Sequence, residues 1–329
     1  MEVNSAFWIG FIVLIIVLLS LDMFVFHKKG EAVNVKKALW LSLFWISLAL
    51  IFNVGIYFVF GQEPALEFLT AYLIEKSLSV DNLFVFILIF SSFKIALKYQ
   101  HDVLFWGILG ALIFRAIFIF AGIALLERFS WVMYLFGGFL VGTGIKMVAD
   151  FIREKRKQQK EEKKDLNKSW FVKFTRRILP TTNDMSEPKF FRKINHKIVA
   201  TPFFLALLVI EMTDLVFAID SIPAVLAVST DMFIVYTSNI FAILGLRSLY
   251  FALRGVMEYF YYLKYALSAI LLFIGGKMIL NHYAHTNGTG FYIPTATSLL
   301  IITALIAISI VASVIRSKQL QKKMIVKRP

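Results

Sequence analysis

A succession of long apolar runs with very little charge in them constrains this chain more than any other feature. Residues 6–26, 36–60, 66–91, 101–126, 131–151, 200–228, 231–253, 260–281 and 291–315 each form such a run. A helix needs about 20 residues to cross the hydrocarbon core of a bilayer, so runs of this length read as spanning helices. The 59% hydrophobic content exceeds the 45–50% or so of soluble domains, too large an excess for one buried core. The expected fold is an all-α polytopic membrane protein with about nine transmembrane helices. No cleavable leader is expected, because the first run, Phe7–Phe26, is long enough to span and no basic segment precedes it. The chain has no cysteine, which removes disulfides, thiolate metal sites and thiol redox chemistry.

Charge placement sets the expected orientation. Of the 35 Lys and Arg residues, only Arg128 falls in an outside loop, and Lys76, Arg115, Lys146, Arg247 and Lys277 fall within spans, if the N-terminus lies outside and the C-terminus inside. All the others, including Lys28, Lys29, Lys94, Lys98, the basic 152–199 loop and the tail from Arg316 to Arg328, then face the cytoplasm. That is the positive-inside pattern. The net charge of +14 is therefore a topology signal, and nucleic acid is not an expected partner. Within the loop, the charged 153–168 segment reads as an extension of the fifth helix into water. The stretch Trp170–Ile178 mixes aromatic and cationic residues as an interfacial helix on an anionic leaflet does. The loop is also the expected surface for any protein partner.

Two segments repeat one pattern. The first reads Glu75, Asp81, Arg115, Glu127 and Gly144-Ile145-Lys146-Met147; the second reads Asp214, Asp220, Arg247, Glu258 and Gly275-Gly276-Lys277-Met278. The acids are six residues apart in both copies, and the Glu-to-Lys interval is nineteen in both. Each unit holds three spans, 3–5 and 6–8, so the second enters the membrane from the opposite side. Such inverted repeats are typical of secondary transporters, whose sites lie between the repeats near the bilayer midplane. The expected organisation is two N-terminal helices (1–65), repeat 1 (66–151), the basic loop (152–199), repeat 2 (200–282), and a last helix with a basic tail (283–329).

Charged groups at membrane depth cost several kcal/mol, so they face a cavity or a partner. The third span carries Glu75 and Asp81, with Asn82 beside them; the sixth carries Glu211, Asp214 and Asp220, with Thr213 and Ser221; Asp22 lies in the first and Asn239 in the seventh. Two readings stay open. The acids form buried ion pairs with Lys76, Arg115, Arg247, Lys146 and Lys277, or they converge as an oxygen-rich cation site. In the second case their mutual repulsion draws protons onto some of them when no cation is bound, which points to exchange of a cation for protons. Asp214 and Asp220 lie about 120° apart around a helix and roughly 9 Å along it, as do Glu75 and Asp81. One regular helix cannot aim both members of a pair at one ion, so the sixth span must break or there must be two sites. Pro223, which removes a hydrogen bond to Ile219, favours a break over Phe217–Pro223. Carboxylate, amide and hydroxyl oxygens suit manganese, calcium or magnesium. No histidine falls inside a predicted span beyond His101 at the very edge of the fourth, which disfavours zinc and copper; His282 and His285 are expected in the last outer loop. Arg115 and Arg247 are expected to hold acids or helix ends.

The stretches EKSLSVDNLFVF (Glu75–Phe86) and EMTDLVFAIDSIPAVLAVSTDMFIVYTSNIFAILGLRSLYF (Glu211–Phe251) resemble signatures of the TerC family of membrane proteins, closest to its Alx-like manganese-exporter branch. Gly144–Met147, Gly275–Met278 and Ala200-Thr201-Pro202 extend the resemblance to nearly the whole chain. It implies a multi-pass protein of the bacterial inner membrane that exports manganese(II) as its transported ion, with no organic cofactor. It carries the family's membrane acids onto Glu75, Asp81, Glu211, Asp214 and Asp220 as metal ligands. Asn82, Thr213, Ser221, Asn239, Arg115, Arg247 and Asp22 are the expected supporting residues. The expected partners are a divalent cation, protons and the lipid bilayer. The alternatives are a calcium or broad divalent transporter, or a non-transporting platform linked to metal or tellurium resistance. An enzyme is not expected: the chain shows no nucleotide-binding loop and no nucleophile–histidine arrangement.

Overall fold

The computed structural model describes residues 4–24, 35–156, 180–182, 189–194, 197–254, 262–288 and 292–326. Lys28 and Lys29, the 157–168 part of the charged insert, Trp170–Ile178, Glu258, Lys327 and Arg328 lie outside these residues. Five helices come first: α1 (Ser5–Phe24), α2 (Val35–Phe60), α3 (Gln62–Ser92), α4 (Leu97–Arg128) and α5 (Val132–Arg156). A two-stranded antiparallel hairpin follows, β1 (Phe191–Ile194) with β2 (Lys197–Ala200). The rest is helical again: α6 (Pro202–Leu226), α7 (Met232–Leu244), α8 (Leu246–Arg254), α9 (Leu263–Asn287) and α10 (Thr295–Val326).

Among the described residues, eight segments are long and apolar enough to cross a membrane, with α7 and α8 counting together as Met232–Arg254. The third predicted span corresponds to α3, which has the length but is set apart by Glu63, Glu67, Glu75, Lys76 and Asp81. The chain is therefore a polytopic helical membrane protein, as its apolar runs predict. Among the described residues, the β1–β2 hairpin and a bridge from Thr181 to Ala200 are the departures from an all-α fold. At 31 and 32 residues, α3 and α4 are each about 47 Å long, well beyond the core of a bilayer, and such helices tilt or project from it.

The α7–α8 segment is 83% buried and forms the centre, whereas α1, α2, α5 and α10 are each about a fifth buried and turn apolar side chains outward. An aromatic cluster fills one half of the core: Phe11, Phe52, Phe68, Phe233 and Phe241, with Phe52 and Phe241 rings 4.7 Å apart. Aliphatic side chains from α4, α5, α6 and α9, such as Ile123, Leu140, Ile222 and Ile274, fill the other.

Three helix pairs dominate the packing: α3 with α7, α4 with α6, and α5 with α9. Gly107 meets Ile210 and Gly122 meets Ile222 and Leu226, so α4 and α6 run parallel. The α5–α9 pair is antiparallel, with Gly137 against Ile279 and Gly144 against Leu272. These backbones nearly touch. A β-carbon at Gly275 would lie 2.7 Å from the Gly137 carbonyl oxygen, and the Ser268 hydroxyl donates to the Gly144 carbonyl at 2.8 Å. Small residues let helices approach this closely, and close approach is what binds helices together in lipid.

The predicted break in the sixth span is absent, and another takes its place. The helix α6 runs unbroken through Asp220 to Leu226 with Pro223 inside it. Pro223 loses its bond to the Ile219 carbonyl, but only one turn of helix follows it and every residue from Ser221 to Leu226 is buried, so packing holds the turn. The break comes at Gly245, between α7 and α8. There the Lys76 ammonium donates to the Ala242 carbonyl at 3.1 Å, a cation placed where carbonyls are left open at a helix C-terminus. A β-carbon at Gly245 would lie 2.9 Å from Lys76 Nζ and 3.0 Å from Trp45 Cβ. His282 and His285 also depart from expectation. They belong to the end of α9, which stops at Gly288 in a left-handed conformation (φ 63°), and His282 stands edge-on to Tyr134.

Candidate functional site

The acids fall into separate groups rather than around one point. The first centres on Arg115 of α4, which is 1% exposed. Its Nε and Nη2 donate to the two carboxylate oxygens of Asp214 on α6, each at 3.2 Å, in a bidentate pair. Its Nη1 pairs with the Glu75 carboxylate on α3, which is wholly buried. One guanidinium thus joins three helices, and the fork geometry of arginine allows it to hold two carboxylates at once. Glu211 sits one turn before Asp214 on the same face of α6. Its carboxylate lies against Gly110 of α4, where any β-carbon would overlap it. Beside Asp214 is a cavity of only about 10 Å³, lined largely by apolar residues such as Phe86, Ile108 and Ile243. That is barely the space of one water.

The second group centres on Asp220. The separation that keeps Asp214 and Asp220 from sharing an ion on one regular helix is observed here, since α6 is continuous. Asp220 lines a cavity of about 50 Å³ together with Asn82 of α3, Ser221, Phe217 and Met147, room for a few waters. The Thr143 hydroxyl of α5 donates to Asp220 Oδ1 at 3.4 Å. Ser221 is 2% exposed, and its hydroxyl has no hydrogen-bond partner among the described residues. Asp81 lies in α3 next to Asn82, at the position matching Asp220 in the repeat, and its side chain lies outside the description. Among the described residues, no three Asp, Glu or His side chains come close enough together to hold a metal ion.

Four predicted supporting residues stand apart from both groups. Arg247 on α8 pairs with the Asp22 carboxylate of α1 at 2.5 Å and with the Asp22 carbonyl at 2.8 Å, an ion pair that ties α1 to the centre. Thr213 turns its hydroxyl back onto the Val209 carbonyl of its own helix at 2.6 Å, the usual local bond of threonine in a helix. Asn239 is buried in α7, and neither end of its amide has a partner among the described residues.

Sequence reasoning passed over several polar residues. Glu67 on α3 accepts from the Ser229 hydroxyl at 2.6 Å. Glu67 was visible as an acid inside the third apolar run. Thr143 adjoins the repeat motif at Gly144, yet a threonine in an apolar helix carries no signal of its own.

Comparison with known proteins bears on this arrangement. The model of the family described as "Integral membrane protein TerC family" matches residues 60–321, which takes in both acid groups. An uncharacterized membrane protein of Myxococcus xanthus is 50% identical over 315 residues, covering 96% of this chain and 94% of that protein. An uncharacterized membrane protein of Rickettsia bellii is 44% identical, covering 94% of this chain and 97% of that protein. A protein of Escherichia coli (strain K12) named "Putative membrane-bound redox modulator Alx" is 40% identical, covering 92% of each chain. No solved structure matches. With most of its length matched by the family model and relatives aligned nearly end to end, this multi-pass membrane protein belongs to the TerC family of integral membrane proteins.

Proposed function

We propose that this protein carries divalent metal cations across the cell membrane, manganese(II) foremost, in exchange for protons and by alternating access. The observation that carries this reading is the Asp220 cavity. It places a carboxylate, the Asn82 amide and the Ser221 hydroxyl around a space of about 50 Å³ between helices of the two repeated segments, with Thr143 bonded to the carboxylate. An all-oxygen donor set of this kind suits hard divalent cations. Ionisable residues inside spans mark ion pathways more often than they serve as ornament.

The packing supports two related units. Exchanging the predicted repeats turns α3 into α6, α4 into the α7–α8 segment and α5 into α9. The α3–α7 pair then becomes the α6–α4 pair, and the α5–α9 pair becomes itself. Sites between such units are the rule in secondary transporters. Glu75 and Asp214 are both engaged by Arg115, and Asp220 is the acid that lines the roomier cavity. Export, rather than uptake, follows from the family resemblance. The word "redox" in the names of some relatives belongs to those proteins; this chain has no cysteine, so it has no thiol–disulfide couple of its own.

The test is Asp220→Asn in purified protein reconstituted into manganese-loaded vesicles. Release is expected to fall at least ~tenfold, the scale of losing one charged hydrogen-bonding ligand, while helix content and elution behaviour stay unchanged. Wild-type release from the folded variant would refute the assignment.

A further inference from the structure

The β1–β2 hairpin has a chemistry that its fold position explains. It leads directly into α6 through Ala200, Thr201 and Pro202, so it sits at the mouth of a membrane-spanning helix. Its base is fixed. The Thr201 hydroxyl bonds to the Lys189 and Phe190 carbonyls at 2.6 and 3.1 Å, Ala200 donates to Pro180 at 2.8 Å, and the Phe191 ring packs on Phe204 at 4.5 Å. Phe190 meets Trp106 edge-on, and Tyr99 meets Phe203. The start of α4, the start of α6 and the hairpin therefore share one end of the molecule, and aromatic rings gather there. Such gathering is usual at the level of lipid headgroups.

Away from its base, the hairpin is apolar on both faces. The register pairs Lys193 with Ile198 and Ile194 with Lys197, which puts Ile198 and Ile194 on opposite sides. Ile198 is 67% exposed and Phe191 45%, with Ile194 close behind. A two-stranded hairpin is marginal in water, and one with large apolar groups bare on both sides has no reason to persist there. The strands and their lead-in also bring Lys189, Arg192 and Lys193, with Lys94 and Lys98 at the neighbouring start of α4. Apolar groups reaching the acyl boundary with cations beside them describe an interfacial anchor for an acidic membrane surface.

We propose that the hairpin lies within the headgroup layer and binds anionic phospholipid, with Ile198 and Phe191 in the acyl boundary and the basic residues on the phosphates. The occupant is lipid because the hairpin is joined to a spanning helix without a spacer and its charge opposes that of an acidic bilayer. This holds whether or not the protein transports metal.

The absence of native cysteine allows a clean test. A spin label is placed through Ile198→Cys in full-length protein, reconstituted in nanodiscs of phosphatidylcholine alone or with phosphatidylglycerol. Collision with oxygen and with a water-soluble nickel complex is then measured. Ile308→Cys, on the 65% exposed face of α10, gives the acyl-chain reference. The label at 198 is expected to be nickel-protected and oxygen-accessible in the anionic discs, and to move toward water in the neutral ones. Adding Lys193→Gln should lower the immersed-to-aqueous ratio about fivefold in anionic discs, the value of one basic residue near an acidic surface. A nickel-accessible label in both discs overturns the proposal. Equal immersion in both lipids, unmoved by Lys193→Gln, overturns the anionic specificity.

Discussion

Arg115 offers the sharpest quantitative test of what holds the centre together. Arg115→Met keeps much of the side-chain volume and removes the charge. Glu75, fully buried, and Asp214, 8% exposed, are then left without the guanidinium that meets both. Breaking a buried ion pair from one side costs about 3–5 kcal/mol, because a charge stays behind in a medium that solvates it poorly. The folded-to-unfolded ratio should therefore fall by about two to nearly four orders of magnitude at equilibrium. Reversible unfolding in mixed micelles, followed by helical ellipticity across a detergent gradient, reads this directly. The diagnostic step is the second one. In the Arg115→Met background, Glu75→Gln and Asp214→Asn together should recover most of the loss, since a whole buried network is often replaceable by neutral groups at little cost. Arg115→Lys should fall in between, as it keeps the charge and loses the fork that spans two carboxylates. A cost below about 1 kcal/mol, the scale of a solvent-exposed pair, would show that Arg115 is not the clamp described above. So would a failure of the two neutral substitutions to restore stability.

Two further substitutions probe the close approaches. Gly275→Ala pushes a methyl to 2.7 Å from a backbone carbonyl of α5; backbone cannot step aside, so a loss of about 2–3 kcal/mol is expected in the same unfolding assay. Gly245→Ala meets the flexible end of Lys76 and the Trp45 β-carbon, and should cost less, about 1–2 kcal/mol, with Lys76→Met relieving part of it in the double variant.

The helices were legible because lipid permits little else. Every predicted span has its helical counterpart, the seventh as two helices and the last as a longer one, since the apolar length needed to cross a bilayer is written openly in the sequence. The partners of the acids were not. Glu75 and Asp214 were visible as charges, but only the register between α3, α4 and α6 decides that one arginine takes both. The matched Arg247 looks equivalent in sequence, yet it reaches Asp22 on α1, outside the repeated segments. Pro223 gave a false signal for a physical reason. A proline past the first turn costs the helix one hydrogen bond and strains the turn before it, and here the packing of the buried Ser221–Leu226 turn outweighs that cost. The break at Gly245 coincides with the crowding of Lys76 and Trp45 against it, a contact between distant parts of the chain that local sequence does not show. The hairpin was missed because four-residue strands, interrupted by charge, carry no periodicity strong enough to read.

The seam between α5 and α9 bears on any motion the molecule makes. Helices whose backbones meet this closely at Gly137, Gly144 and Gly275 have little room to slide, so a rotation of one repeated segment against the other, if the protein makes one, has this seam as its natural axis. A turn of about 10° about it displaces a helix one interaxial distance away, some 8–10 Å, by roughly 1.6 Å. That exceeds what the 3.2 Å contacts between Arg115 and Asp214 can survive. A rotation too small to disturb the outline of the protein would thus release Asp214 from its clamp, and the leverage comes from three residues that have no side chain at all.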